Sequence, residues 1–176
     1  MLKRTGQNFE QNSLYVKLER FKSGDKEQRK GNSMENRSIK VLLIENDAAD
    51  QVIVKNALMN LDHKVDLNIV PNAEYAIKYL QKSQTMQAKF PKPGLILLDL
   101  NMLGLGGKGF LKEIKSNLEF RSIPVVVFSS SDQQEDIDEC YKLHAAGFIQ
   151  KSASLKECND LFRKLIDYWY PVATAI

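Results

Sequence analysis

The stretch LILLDLNMLGLGG, residues 95–107, contains a figure that the rest of the chain repeats. Leu95 to Leu98 form a short aliphatic run without polar alternation, which reads as a strand covered on both faces. Asp99 closes the run, and a glycine-rich loop from Gly104 to Gly109 follows. Phe110, Leu111, Ile114 and Leu118 then recur at helical spacing.

Working towards the amino terminus, Val41 to Ile44 form a similar run, and Val52, Ile53, Ala57 and Leu58 give residues 47–60 a helical pattern. Residues 65–70 read as a strand. Residues 72–83 read as a helix with Ala73, Ala76, Ile77 and Leu80 inward, entered at Pro71 or Asn72. Towards the carboxyl terminus come a strand at 123–128, a helix at 133–144 and a short strand holding Phe148 and Ile149. A final helix over 155–170 carries Leu155, Cys158, Phe162, Leu165, Ile166 and Trp169 on one face. Five strands alternating with five helices require crossover connections, so the expected fold is α/β, a right-handed, doubly wound five-stranded parallel sheet.

Composition agrees with a globular domain. The 176 residues are 43% hydrophobic and 27% charged, which suits a sizeable core and excludes collagenous and low-complexity readings. No apolar stretch approaches the ~18 residues of a membrane span, and residues 1–30 lack the continuous apolar segment of a secretory signal. Cys140 and Cys158 form no CxxC and have no histidine at ligand spacing, so neither a disulfide framework nor a zinc site is expected. A reduced, cytoplasmic setting is the expectation.

The net charge of +3 is unevenly placed. Residues 1–38 hold nine basic and five acidic side chains, and the remaining residues hold sixteen basic and seventeen acidic ones. The basicity therefore belongs to the amino-terminal segment. Residues 22–37 contain no strongly apolar side chain except Met34, so residues 1–38 are expected to be a disordered basic extension. It is either a dispensable extension with Met34 as initiator or a polar arm touching nucleic acid or anionic lipid. Neither a nucleic-acid partner nor a membrane is expected for the folded part.

In doubly wound sheets chemistry gathers at strand carboxyl ends beside the topological switch point. The first strand ends in Glu45, Asn46 and Asp47, the third in Asp99, the fourth in Ser129 to Ser131, and the fifth in Gln150 and Lys151. If strands one, three and four are adjacent, carboxylates, a hydroxyl and an ammonium share one shallow site, which suits magnesium and a carboxylate that accepts a phosphoryl group. Crowded carboxylates repel one another, and a divalent cation relieves that repulsion.

Taken together, VLLIEND (41–47), LILLDLNMLGLGG (95–107), IPVVVFSSS (123–131) and AAGFIQKS (145–152) resemble the receiver domain of two-component response regulators. The resemblance runs from residue 39 to the end, and KSASL (151–155) and DYWYP (167–171) are most similar to stand-alone receivers of the cyanobacterial-phytochrome type. It implies a flavodoxin-like (βα)5 fold over residues 39–176. It also implies that Asp99 accepts a phosphoryl group from a sensor histidine kinase or a phosphotransfer protein, with autophosphatase activity as a companion. By the same resemblance Glu45, Asn46, Asp99 and the backbone carbonyl of Asn101 hold Mg2+, with Asp47 as a further candidate. Ser129 and Lys151 assist catalysis, and Ser129 and Phe148 form the switch. The downstream partner is an unknown protein, with a homodimer as one option, because too few residues follow Tyr170 for an output module.

Four positions depart from the family's pattern. Asn46 stands where a second acid usually ligates the metal, and its neutral amide should bind more weakly. Leu103 replaces a proline and Gly106 an aspartate, which should loosen the loop after Asp99. Ser152 replaces the proline after the site lysine, so either the fold holds a costly cis bond there or Lys151 is aimed differently. These departures motivate an alternative, a receiver-shaped binding module that acts without phosphorylation. A phosphate-loop reading of residues 104–109 lacks GxxxxGK[ST], and an aspartate-based phosphatase would need an aspartate where Asn101 stands. His63 and His144 are expected to be solvated or capping residues. Trp169, flanked by Tyr168 and Tyr170, is expected to be the last core turn of the final helix, with a dimer contact through this aromatic cluster as the alternative.

Overall fold

The computed structural model describes residues 38–151 and 154–173. The extension expected over 1–38 and the peptide after Lys151 fall outside them, apart from Ser38. The elements alternate as β1 (Ile39–Ile44), α1 (Ala48–Met59), β2 (Val65–Val70), α2 (Ala73–Ser83), β3 (Leu95–Leu98), α3 (Gly106–Ser116), β4 (Val125–Ser129), α4 (Gln134–Lys142), β5 (Gly147–Gln150) and α5 (Leu155–Ala173). All four strand pairings are parallel and the order is β2-β1-β3-β4-β5. The fold is therefore the expected flavodoxin-like doubly wound α/β sheet.

Helices cover both faces, which explains why the strands are apolar throughout rather than alternating. Leu42, Ile44, Ile96, Leu98, Val125 and Val127 pack against α2, α3 and Cys140 of α4. Val41, Leu43, Leu95, Leu97, Val126 and Phe128 face the other way, towards Val54 and Leu58 of α1 and Cys158, Phe162 and Ile166 of α5. The chain leaves β1 for β2 on one side and returns to β3 on the other, so the switch point lies between β1 and β3. The register Ile44↔Leu98 brings the residues after both strands level with each other.

Three inward positions differ from the expectation. Val52 is exposed, and Val54 is the fully buried member of the run Val52-Ile53-Val54, because Val54, Ala57 and Leu58 share the stripe that meets the sheet. Leu118 is exposed in the turn beyond the end of α3, where Phe120 is buried in its stead. Leu155 is exposed as the first residue of α5, one turn before the buried stripe begins at Cys158.

Helix ends account for several polar residues. Asp47 caps α1 by accepting from the backbone N–H groups of Ala49 and Asp50, and Asn72 caps α2 by accepting from that of Tyr75. His144 takes φ 64 just past α4, with its N–H donating to Tyr141 and that of Ala145 to Cys140, a Schellman ending. His144 is thus an exposed capping residue. His63 instead pairs with Asp167 at 2.9 Å and stacks on Tyr170, tying the α1–β2 turn to α5.

Candidate functional site

Backbone bonds carry the sheet one step past its strands and fix the site residues. The Asp99 N–H donates to the Ile44 carbonyl at 3.0 Å, that of Glu45 to Val70 at 3.0 Å, and that of Lys151 to Ser129 at 2.8 Å. Glu45, Asp99 and Ser129 are all buried, side by side across β1, β3 and β4. Gly107 sits close behind Asp99, since a Cβ there would lie 2.4 Å from the Asp99 carbonyl oxygen. The start of α3 therefore rests directly on the Asp99 backbone.

Lys151 reaches from the end of β5 into this group. Its Nζ lies 2.8 Å from Glu45 Oε2, 2.6 Å from Asp50 Oδ2 and 3.3 Å from Asp99 Oδ1. The first two contacts are hydrogen bonds. Asp99 Oδ1 accepts none and is the buried polar side-chain atom left without a partner among the described residues. Burial pushes the Glu45 carboxyl above its ordinary range, against the opposing pull of Lys151 and of the Asp47 N–H. Burial also works against the Lys151 ammonium, but the hydrogen bonds to Asp50 and Glu45 and the charges of Glu45 and Asp99 outweigh it and hold the pKa above the usual lysine value.

The structure thus brings together Glu45, Asp99, Ser129 and Lys151. Asn46 is exposed beside them. Asp47 is exposed too, with Oδ1 used in capping α1. Asn101 is exposed and its amide donates to Ser130 Oγ at 3.0 Å. Ser129 Oγ accepts from the Ser131 N–H at 3.3 Å. Phe148, half-buried on β5, packs against the cluster beneath α2, α3 and α4.

Two residues were missed by the sequence reading. Asp50, one turn into α1, holds Lys151; its position five residues after Glu45 was the available signal. Glu74, at the start of α2, accepts from the Leu105 N–H at 2.8 Å. That bond draws the Glu74 carboxyl below its ordinary range. The loop expected to be loose thus has a specific tether, which needs the positive φ of Gly104, where a Cβ would meet Glu74 Oε1 at 2.4 Å.

The oxygen groups that would hold a cation at this end of the sheet are the Glu45 and Asp99 carboxylates, the Asn46 amide and the Asn101 carbonyl, with the Lys151 ammonium beside the two carboxylates. Among the described residues no group of three or more His, Cys, Asp or Glu side chains is arranged to hold a metal. Mg2+ requires only one or two carboxylates and keeps several waters. The partnerless Asp99 Oδ1 and a hard-oxygen donor set fit that ion.

A buried aspartate at the switch point of a doubly wound parallel sheet, with a lysine and a serine from neighbouring strands, defines the receiver class of signalling domain. Residues 41–163 match the response regulator receiver domain family, and the chain belongs to it. It is 34% identical over 136 residues to the response regulator Rcp1 of Synechocystis, covering 76% of this chain and 90% of that protein. It is 30% identical over 125 residues to the two-component response regulator ARR5 of Arabidopsis thaliana, covering 69% and 67%. Among solved structures it resembles the phosphorylated cyanobacterial phytochrome response regulator RcpA, with TM-score 0.69, 34% identity and coverage of 76% and 94%. The Mn(2+)-bound form of Rcp1 aligns with TM-score 0.67 at 33% identity, covering 74% and 94%. The chain is accordingly a receiver-domain response regulator of two-component signalling.

Proposed function

We propose that this response regulator accepts a phosphoryl group on Asp99 from a histidine of a sensor kinase or phosphotransfer protein, with Mg2+, and that phosphorylation switches its protein contacts. The observation that carries this reading is Asp99 Oδ1, a buried carboxylate oxygen without a hydrogen-bond donor, 3.3 Å from the Lys151 ammonium. A nucleophile needs such an uncommitted lone pair. The phosphorylated form of RcpA and the Mn(2+)-bound form of Rcp1, both similar to this chain, support the same chemistry by kinship.

In the step proposed, an Asp99 oxygen bonds to phosphorus while the phosphorus–nitrogen bond to the donor histidine breaks, its electron pair staying on the imidazole nitrogen, which takes up a proton from solvent. Glu45, Asn46, Asp99 and the Asn101 carbonyl would hold Mg2+, which supplies positive charge to the phosphoryl oxygens. Lys151 adds a second cation and Ser129 a hydroxyl from β4. The neutral amide of Asn46 weakens metal binding without removing an oxygen ligand. For the switch, Ser129 moves towards the phosphoryl group and Phe148 takes up the space released, altering the surface of α4, β5 and α5. The downstream partner is a protein that reads this surface, with a second copy of the chain as one option.

Incubation with acetyl phosphate and magnesium should give a phospho-species that Asp99→Asn abolishes. A chain that stays unlabelled by both acetyl phosphate and histidine-phosphorylated donors would support the phosphorylation-independent binding module instead.

A further inference from the structure

Lys151 is tied more closely to α1 than to Asp99. Its ammonium has three donors; one goes to Glu45 at 2.8 Å and one to Asp50 at 2.6 Å. The same nitrogen lies 3.3 Å from Asp99 Oδ1 but is not aligned for a hydrogen bond with it, so Asp99 Oδ1 has no hydrogen-bond partner. Asp50 is itself held in place, because its N–H donates to the Asp47 cap at 3.0 Å. One residue on, Gln51 Nε2 donates to the Glu45 carbonyl at 2.7 Å and pins the start of α1 to the end of β1.

We propose that Asp50 is a positioning residue that anchors the Lys151 ammonium to α1, so that lysine must leave Asp50 before it can bind phosphoryl oxygens on Asp99. The anchoring is a property of the unmodified chain; its effect on phosphoryl uptake rests on the function proposed above. A carboxylate that competes for lysine holds back phosphoryl uptake, and its loss frees the ammonium.

Two measurements test this on the full chain. In the unphosphorylated protein without metal, the Lys151 15Nζ ammonium signal should be protected from exchange. Asp50→Asn should shift it and speed its exchange about tenfold, whereas Asp50→Glu should retain the protection. An unchanged Lys151 signal in Asp50→Asn overturns the proposal, whatever the labelling shows. In the second measurement, acetyl phosphate labelling with magnesium should quicken about threefold or more in Asp50→Asn, and Asp50→Glu should restore the wild-type rate.

In a Lys151→Met background the same Asp50→Asn change should alter labelling less than about twofold, since coupled residues lose their coupling when one is removed. An equal effect in both backgrounds means that Asp50 acts through α1 or general charge, and it overturns the proposal. If the wild type takes no label at all, the phosphoacceptor reading fails, and the ammonium signal still decides the anchoring.

Discussion

Lys151 is the cation among three carboxylates, and its pairing has a definite dependence on pH. Its raised pKa means that the stabilisation from its pairs is present below the ordinary lysine value and is lost as pH rises through the folded-state value. Glu45 behaves oppositely to a usual paired acid. Its folded-state pKa is raised, so its ionised form costs stability above that value and the cost is relieved as pH falls through it. Lys151→Met at pH 8 leaves Glu45, Asp50 and Asp99 without their cation and should destabilise by about 2 kcal/mol or more. The loss should shrink towards pH 5, where Glu45 takes up a proton more readily than in the unfolded chain. Urea denaturation at the two pH values checks this, and an equal loss at both contradicts it. The members at strand ends were legible as Glu45, Asp99, Ser129 and Lys151. Asp50 was not, because it belongs to a helix and meets Lys151 across 101 positions of sequence.

Helix α3 is set by how closely it approaches the strand before it. Gly107 is buried against the Asp99 carbonyl, so Gly107→Ala must push the helix away from the loop that follows Asp99. Overpacking of this kind costs ~1–3 kcal/mol, and the variant should show that loss in urea together with slower acetyl phosphate labelling. Helix α4 ends on His144 at φ 64, where a side chain is strained and glycine is not. His144→Gly should therefore stabilise by about 0.5 kcal/mol after the extra entropy of unfolded glycine is counted, measurable as a higher urea midpoint. Element types and most boundaries followed from apolar runs and turn residues. The phase of α1 did not, since Val52, Ile53 and Val54 are equally apolar and only contact with the sheet selects Val54.

For the molecule as a whole, both hydrophobic clusters, among the described residues, are assembled from residues 39–170. Deleting residues 1–37 should therefore leave the urea midpoint of the domain unchanged and raise the negative character of the remainder; a lower midpoint would mean that the segment contributes to the fold. None of the described helices is long and apolar enough to cross a membrane. The amino-acid sequence by itself determined the strand count, the alternation with helices and the residues at the strand ends, because a strand buried on both faces must be apolar throughout and must place its polar residues where it stops. Only the tertiary structure decided which of those groups touch. The tie of Lys151 to Asp50, the Asp99 oxygen that accepts no hydrogen bond and the Glu74 tether on Leu105 all depend on where helices begin relative to distant strands, and ångström-scale distances of that kind leave no periodicity for a sequence to show.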